Sequence, residues 1–168
     1  MILHCSRELA GRLVGVSTTS LEEDSPLGGW HGHIFTSRRR QCVMFCHDAT
    51  RYALFLQGLR KPQLDALGDK WFRQLFTASL AALGCADARI RRVELCLGRV
   101  RYDVATDRSV QGALRVAQQD LGAWLENVPN VMEADPLAAA KWLNQRPTRA
   151  QGKLLWPDRA MLEMVSTL

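Results

Sequence analysis

Residues 30–58 hold three short apolar segments, and their connections leave almost no topological freedom. WHGHIFT (30–36), QCVMFCH (41–47) and YALFLQG (52–58) are rich in residues that favour extended chain, and only SRRR and DATR join them. Connections that short force neighbouring strands to run antiparallel. A tight turn over Asp48–Arg51 sets His47 opposite Tyr52, Phe45 opposite Leu54 and Val43 opposite Leu56. One face of the meander is then Ile34, Val43, Phe45, Leu54 and Leu56. The other is Phe35, Cys42, Met44, Cys46, Ala53 and Phe55. Both faces are apolar, so both must be covered, by helices or by a second subunit.

The rest of the chain supplies candidate covers. MILHCS (1–6) reads as a first strand, followed by a short helix over 7–15. Residues 17–29, STTSLEEDSPLGG, form the longest loop. The clearest helix is 62–84, opened by Pro62 and stopped by Gly84, with Leu64, Leu67, Trp71, Leu75, Ala78 and Ala82 at helical spacing. A short helix over 89–97 and a strand over 100–105 follow. A long helix over 108–126 is capped by Asp107 or Ser109 and striped by Val110, Leu114, Ala117, Leu121 and Trp124. Asp135-Pro136 opens another over 136–145, and 156–165 is a weaker last one. The expected fold is α+β: one domain over 1–168, a small antiparallel sheet (1–6, 30–36, 41–47, 52–58, 100–105) packed against helices.

Several classes fall away at this level. No segment approaches the roughly 18 apolar residues that span a bilayer, and the first residues do not read as a signal peptide, so no membrane role is expected. Five cysteines, an odd number at irregular spacing, fit buried free thiols and a reducing cytoplasm. No Gly-rich phosphate loop follows a strand, and no cofactor is implied. Lys+Arg of 22 against Asp+Glu of 17 gives +5, which permits an anionic partner without requiring one. The bias to arginine (lysine occurs only at 61, 70, 141 and 153) can reflect codon usage.

Four constellations invite chemistry. Cys42 and Cys46 share a strand face at about 13 Å, too far for a disulfide or one metal ion, and read as buried small hydrophobes. His31 and His33 sit at i and i+2, about 6.6 Å apart along a strand, and could meet on a metal given a third ligand. An even turn at 37–40 puts Cys46 across from His31; an odd one puts His47 there. Cys46 and His47 are adjacent on a strand and point apart, so a Cys–His pair would need His4 or His31 instead. Arg38, Arg39 and Arg40 lie in a turn at the same end of the meander as Arg60 and Lys61, a basic cluster fit for phosphate or simply solvated. Trp71 and Trp124 lie on core stripes. Trp30 after Gly28-Gly29 either fills core or lines a pocket under the 17–29 loop.

The start MILHCSRELA, Trp30, Arg39-Arg40 before Cys42-Val43-Met44-Phe45, Thr50 and Tyr52, Ser109-Val110-x-Gly112, and Leu143-Asn144-x-x-Pro147 occur in order along the chain. Together they resemble a small family of uncharacterised bacterial domains of about this length. The resemblance implies a shared compact α+β fold and no mechanism. His47-Asp48 depart from the family's pattern, which argues against a catalytic His47.

Three functional expectations follow. The first is a non-enzymatic cytoplasmic binding module, with Arg38, Arg39, Arg40, Arg60 and Lys61 as a basic end for nucleic acid or an acidic protein, and a homodimer through an apolar sheet face. The second is an enzyme with a pocket around Trp30, His31, His33 and Cys46, metal-dependent if His31 and His33 ligate. The third is a structural interaction domain.

Overall fold

The computed structural model describes residues 1–150 and 152–168. The meander forms as its connections require. β3 (Trp30–Ser37), β4 (Arg40–His47) and β5 (Ala53–Leu56) pair antiparallel, with Val43 opposite Leu56 and Phe45 opposite Leu54. The first turn has two residues, Arg38 and Arg39, and Ser37 pairs with Arg40. This even turn sets His31 opposite Cys46 and Trp30 opposite His47. Both turn arginines have positive φ, 45° and 66°. Asn-Gly is the usual occupant of such a turn, because a Cβ is strained there. Arg38 gains a compensating anchorage. Its guanidinium donates to the carbonyls of Leu125 and Pro129, both at 2.9 Å, and of Val128, at the C-terminal end of α5 (Arg108–Leu125). A cation there meets the negative end of the helix dipole.

The sheet is larger than expected and mixed. β1 (Ile2–Cys5) lies parallel to both β3 and β6 (Arg101–Asp103), and β2 (Val16–Ser17) runs parallel to β6 at the edge. The six strands run in the order β2-β6-β1-β3-β4-β5. Only the meander has connections short enough to dictate direction. The long crossovers from β1 to β3 and from β5 to β6 permit parallel pairing, and helices occupy both. A second small sheet, β7 (Thr148–Ala150) against β8 (Lys153–Leu155), was not foreseen.

Both faces of the sheet are covered by the chain's own helices. Leu3, Trp30, Ile34, Val43, Phe45, Leu54 and Leu56 pack beneath α3 (Arg73–Ala82), α4 (Asp87–Leu97) and α7 (Pro157–Ser166). Cys42, Met44, Cys46, Ala53 and Phe55 pack beneath α5 and α6 (Pro136–Asn144). The two expected face compositions are the ones observed. The apolar surface that suggested a sheet-face homodimer is therefore filled from within. Buried Asn144 finishes the edge at β5: its Oδ1 accepts from the Ala53 N–H and its Nδ2 donates to the Ala53 carbonyl, both at 2.7 Å. Asp107 is the cap of α5, accepting from the N–H groups of Ser109 and Val110. Helix α1 (Arg7–Ala10) is shorter than the sequence suggested.

The expected continuous helix over 62–84 is interrupted. α2 (Lys61–Asp65) leads into a π-helical stretch, Leu67–Phe72, before α3. Gly68 explains the wider turn. A Cβ on it would sit 2.5 Å from Val100 Cγ1 and 2.6 Å from Tyr102 Oη, and its N–H donates to that hydroxyl. The helix thus presses its bare backbone against the segment entering β6. One inserted residue shifts the apolar stripe: Phe72 and Phe76 are buried, while Trp71 stays partly exposed.

Candidate functional site

One rung crosses the sheet. Asp103 on β6, His4 on β1, His31 on β3, Cys46 on β4 and Ala53 on β5 are successive register partners. Their side chains therefore share the face covered by α5. Strand alternation puts Trp30 and His47 on the opposite face.

Asp103 is wholly buried and fully engaged. It accepts from the N–H groups of Leu21 (2.8 Å) and Ala105 (3.1 Å), and its Oδ1 lies 2.6 Å from His4 Nδ1. Two backbone donors suit a carboxylate, so His4 Nδ1 carries the proton and donates it. That leaves His4 Nε2 facing Asp48 Oδ2 at 3.5 Å. The other oxygen of Asp48 is 2.7 Å from His31 Nδ1. His31 Nε2 accepts from the Asp107 N–H at 3.0 Å, which fixes His31 as the Nδ1–H tautomer, donating to Asp48. The two rings lie 4.8 Å apart between centroids. Asp103, His4, Asp48, His31 and the start of α5 form one continuous polar chain. Gly29 passes close by it. A Cβ there would stand 2.9 Å from both Asp48 Oδ2 and His4 Nε2, so the backbone can approach only because the residue is glycine.

This chain opens on a cavity of about 230 Å³. Its sheet side is His4, Ser6, His31 and His33, and Thr106 also lines it. Helix α5 contributes Gln111, Leu114, Arg115 and Gln118, at i, i+3, i+4 and i+7 and so on one helical stripe. The cavity sits past the carboxyl ends of the parallel strands β1 and β6, where open sheets with crossover helices place ligands. His4 is only 14% exposed and is one of the residues lining this space. Partial burial lowers the basicity of His33 from its ordinary value, with Glu8 opposing the shift.

The residues singled out from sequence separate into three groups. His31 and His33 both reach the cavity, but both nitrogens of His31 are engaged within the protein. Among the described residues no three His, Cys, Asp or Glu side chains are grouped to hold a metal ion. Trp30 and Cys46 do not belong to this cavity. Trp30 is buried on the far face, edge-on to Phe72 (4.9 Å), Phe76 (5.0 Å) and His47 (5.0 Å). Cys46 shares the rung but lies under α5 and α6, and burial pushes its thiol up to about 12, unsuited to a nucleophile. The five cysteines are all free, as expected. The basic residues are also sorted. The Leu59 N–H donates to the Gln41 carbonyl at 2.9 Å, which keeps both turns at one end of the meander. Arg38 is committed to α5, and Lys61 pairs with Asp65 at 3.0 Å. Arg39, Arg40 and Arg60 point to solvent.

Sequence reasoning missed Asp103, Gln111 and Arg115, and named His4 and Asp48 only in passing. The stripe Gln111/Arg115/Gln118 was visible beside the apolar stripe of α5. The pairing of β1 with β6 was not, and it alone brings Asp103 to His4.

Among the described residues no helix is long and apolar enough to cross a membrane. No curated protein and no solved structure matches this chain. A family model described as a domain of unknown function (DUF6933) matches residues 2–160, nearly the whole chain, and the chain belongs to that family.

Proposed function

We propose that the chain takes a small polar molecule into the cavity beside His4 and acts on it by proton transfer, with His4 as the transferring group. The observation that supports this most is the buried Asp103 carboxylate behind His4 Nδ1, with His4 itself among the residues that line the cavity. A carboxylate that fixes one nitrogen of an imidazole aims the other and steadies the charge it gains. Asp103 is then a positioning residue, and Asp48 receives or returns the proton on the second nitrogen. The volume lies below the 300–1,000 Å³ usual for drug-sized ligands, so the substrate is a small metabolite.

The test is a panel of small polar metabolites incubated with the protein in D₂O and followed by proton NMR. At least one compound that raises the melting temperature should be converted or exchange a proton for deuterium. His4→Gln should abolish that exchange while binding persists, and Asp103→Asn should slow it. Exchange unaffected by His4→Gln, or no compound that binds, contradicts the proposal.

A second reading keeps the basic end as a grip for nucleic acid or an acidic protein. It is favoured by Arg39, Arg40 and Arg60, which remain solvent-facing at one end of the meander. Such binding weakens steeply with salt. A gel-shift titration at low salt, repeated on an Arg39/Arg40/Arg60→Gln triple variant, decides it. Binding that the triple variant retains in full removes this reading.

A further inference from the structure

Resting on the cavity reading above, we infer that the ligand carries an oxyanion, a carboxylate or phosphoryl group, received by Arg115, with its reacting end toward His4. The charge of the lining carries this. Arg115 is the cavity's guanidinium, and no aspartate or glutamate is among the lining residues. Among the described residues Arg115 makes no ion pair and no side-chain hydrogen bond, unlike Arg38, Arg51, Arg73, Arg89, Arg101 and Arg146, each tied to a carbonyl or carboxylate. Two of the nearby carboxylates stand behind the histidines and are occupied, and Glu8, close enough to act on His33, is not among the lining residues. Asp103 is held by His4 and two backbone N–H groups, and Asp48 by His31.

The neighbours of Arg115 have the same character. Gln111 and Gln118 flank it on α5, and neither side chain has a partner within the described chain. His33 faces them from β3, its ring nitrogens also without a hydrogen-bond partner. Amides, an imidazole and a planar guanidinium together offer several N–H donors to one acceptor-rich group, and a guanidinium suits the two-oxygen edge of a carboxylate or phosphate. Arg115 is exposed, so it lies at the mouth, while His4 lies deeper. An anionic group held at the mouth leaves the remainder of a small molecule to extend toward the histidine. The net charge of +5 favours approach of such a ligand.

The experiment is an NMR titration of the histidine ring signals at fixed ionic strength and pH. Three probes are used: inorganic phosphate, acetate and neutral acetamide. Saturable shifts at His33 and His4 with phosphate, acetate or both support the assignment and say which oxyanion is preferred. Arg115→Gln should weaken that binding by about tenfold or more, as loss of a charge-assisted pair does, while Arg39→Gln leaves it unchanged. Binding that Arg115→Gln leaves intact overturns the assignment. So does a saturable response to acetamide with none to either anion, which leaves the cavity reading standing. Silence at His4 toward all three probes counts against both.

Discussion

Trp30 and His31 are adjacent in sequence and stand on opposite sides of the sheet, and the two sides treat their histidines differently. On the Trp30 side, His47 is sealed. Its Nε2–H donates to the Leu27 carbonyl at 2.6 Å, and its Nδ1 accepts from the Thr50 N–H at 3.1 Å. Every polar atom of that ring is spent on holding the 18–29 loop and the β4–β5 turn. On the His31 side, the polar chain runs from buried Asp103 through His4 and Asp48 to His31, and both of these histidines line a cavity. Burial alone therefore does not mark a functional histidine here. The difference lies in whether the ring is closed in by backbone groups or helps to line a cavity.

The largest way to break this contrast is to remove a ring from the closed side. Trp30→Ala should cost about 3–5 kcal/mol, because Trp30 packs against Phe72, Phe76, Tyr52 and His47 with no exposure. His4→Gln should cost about 1–2 kcal/mol, since Asp103 keeps both backbone donors. Urea unfolding of the two variants measures this, and equal losses would erase the distinction between the faces.

The next effect is in the pH dependence. Burial holds His47 below its ordinary value of 6.5, with the Leu27 carbonyl and Asp48 opposing in part. Between the ordinary value and the lowered one, the unfolded chain binds a proton that the folded chain refuses. Stability is full above that ordinary value and is lost as the pH falls below it. His33 shifts in the same direction. His47→Gln should lower stability overall yet flatten its decline from neutral pH to about pH 5, and His33→Gln should flatten it less. A decline unchanged in His47→Gln would mean that the ring is not sealed.

The smallest effect concerns the arginine turn. Arg38→Ala should destabilise by about 1 kcal/mol through loss of the anchorage on α5. Arg39→Gly should be neutral or raise stability by up to about 1 kcal/mol, because glycine accepts the 66° φ without strain. Thermal melts of the pair test whether one turn residue is structural while its neighbour is free.

The meander, its register and both of its faces could be read from residues 30–58 because short connections and strand alternation are local constraints. The caps at Asp107 and Asp135 were equally local. What escaped was set by partners distant in sequence. The Gly68 approach to Val100 and Tyr102 turned one helix into three pieces and moved the stripe from Trp71 to Phe72. The parallel insertion of β1 between β3 and β6 made the sheet mixed, and it also assembled the site, since Asp103 lies 99 positions from His4. His31 and His33 were correctly drawn to one face. Trp30 was grouped with them as a neighbour in sequence, and strand alternation puts it on the far face; Cys46 was grouped through the hairpin register, which holds, but α5 and α6 cover it.

Carbethoxylation of the folded protein, followed residue by residue in mass spectrometry, tests the central contrast most directly. The reagent attacks an accessible unprotonated imidazole nitrogen. His33 and His4 should be modified while circular dichroism still reports a folded chain, and an oxyanion that occupies the cavity should slow both. His47 and His31, with both nitrogens engaged, should stay unmodified until the chain unfolds. Modification of His47 as fast as His4, or a His4 that never reacts, would contradict the account.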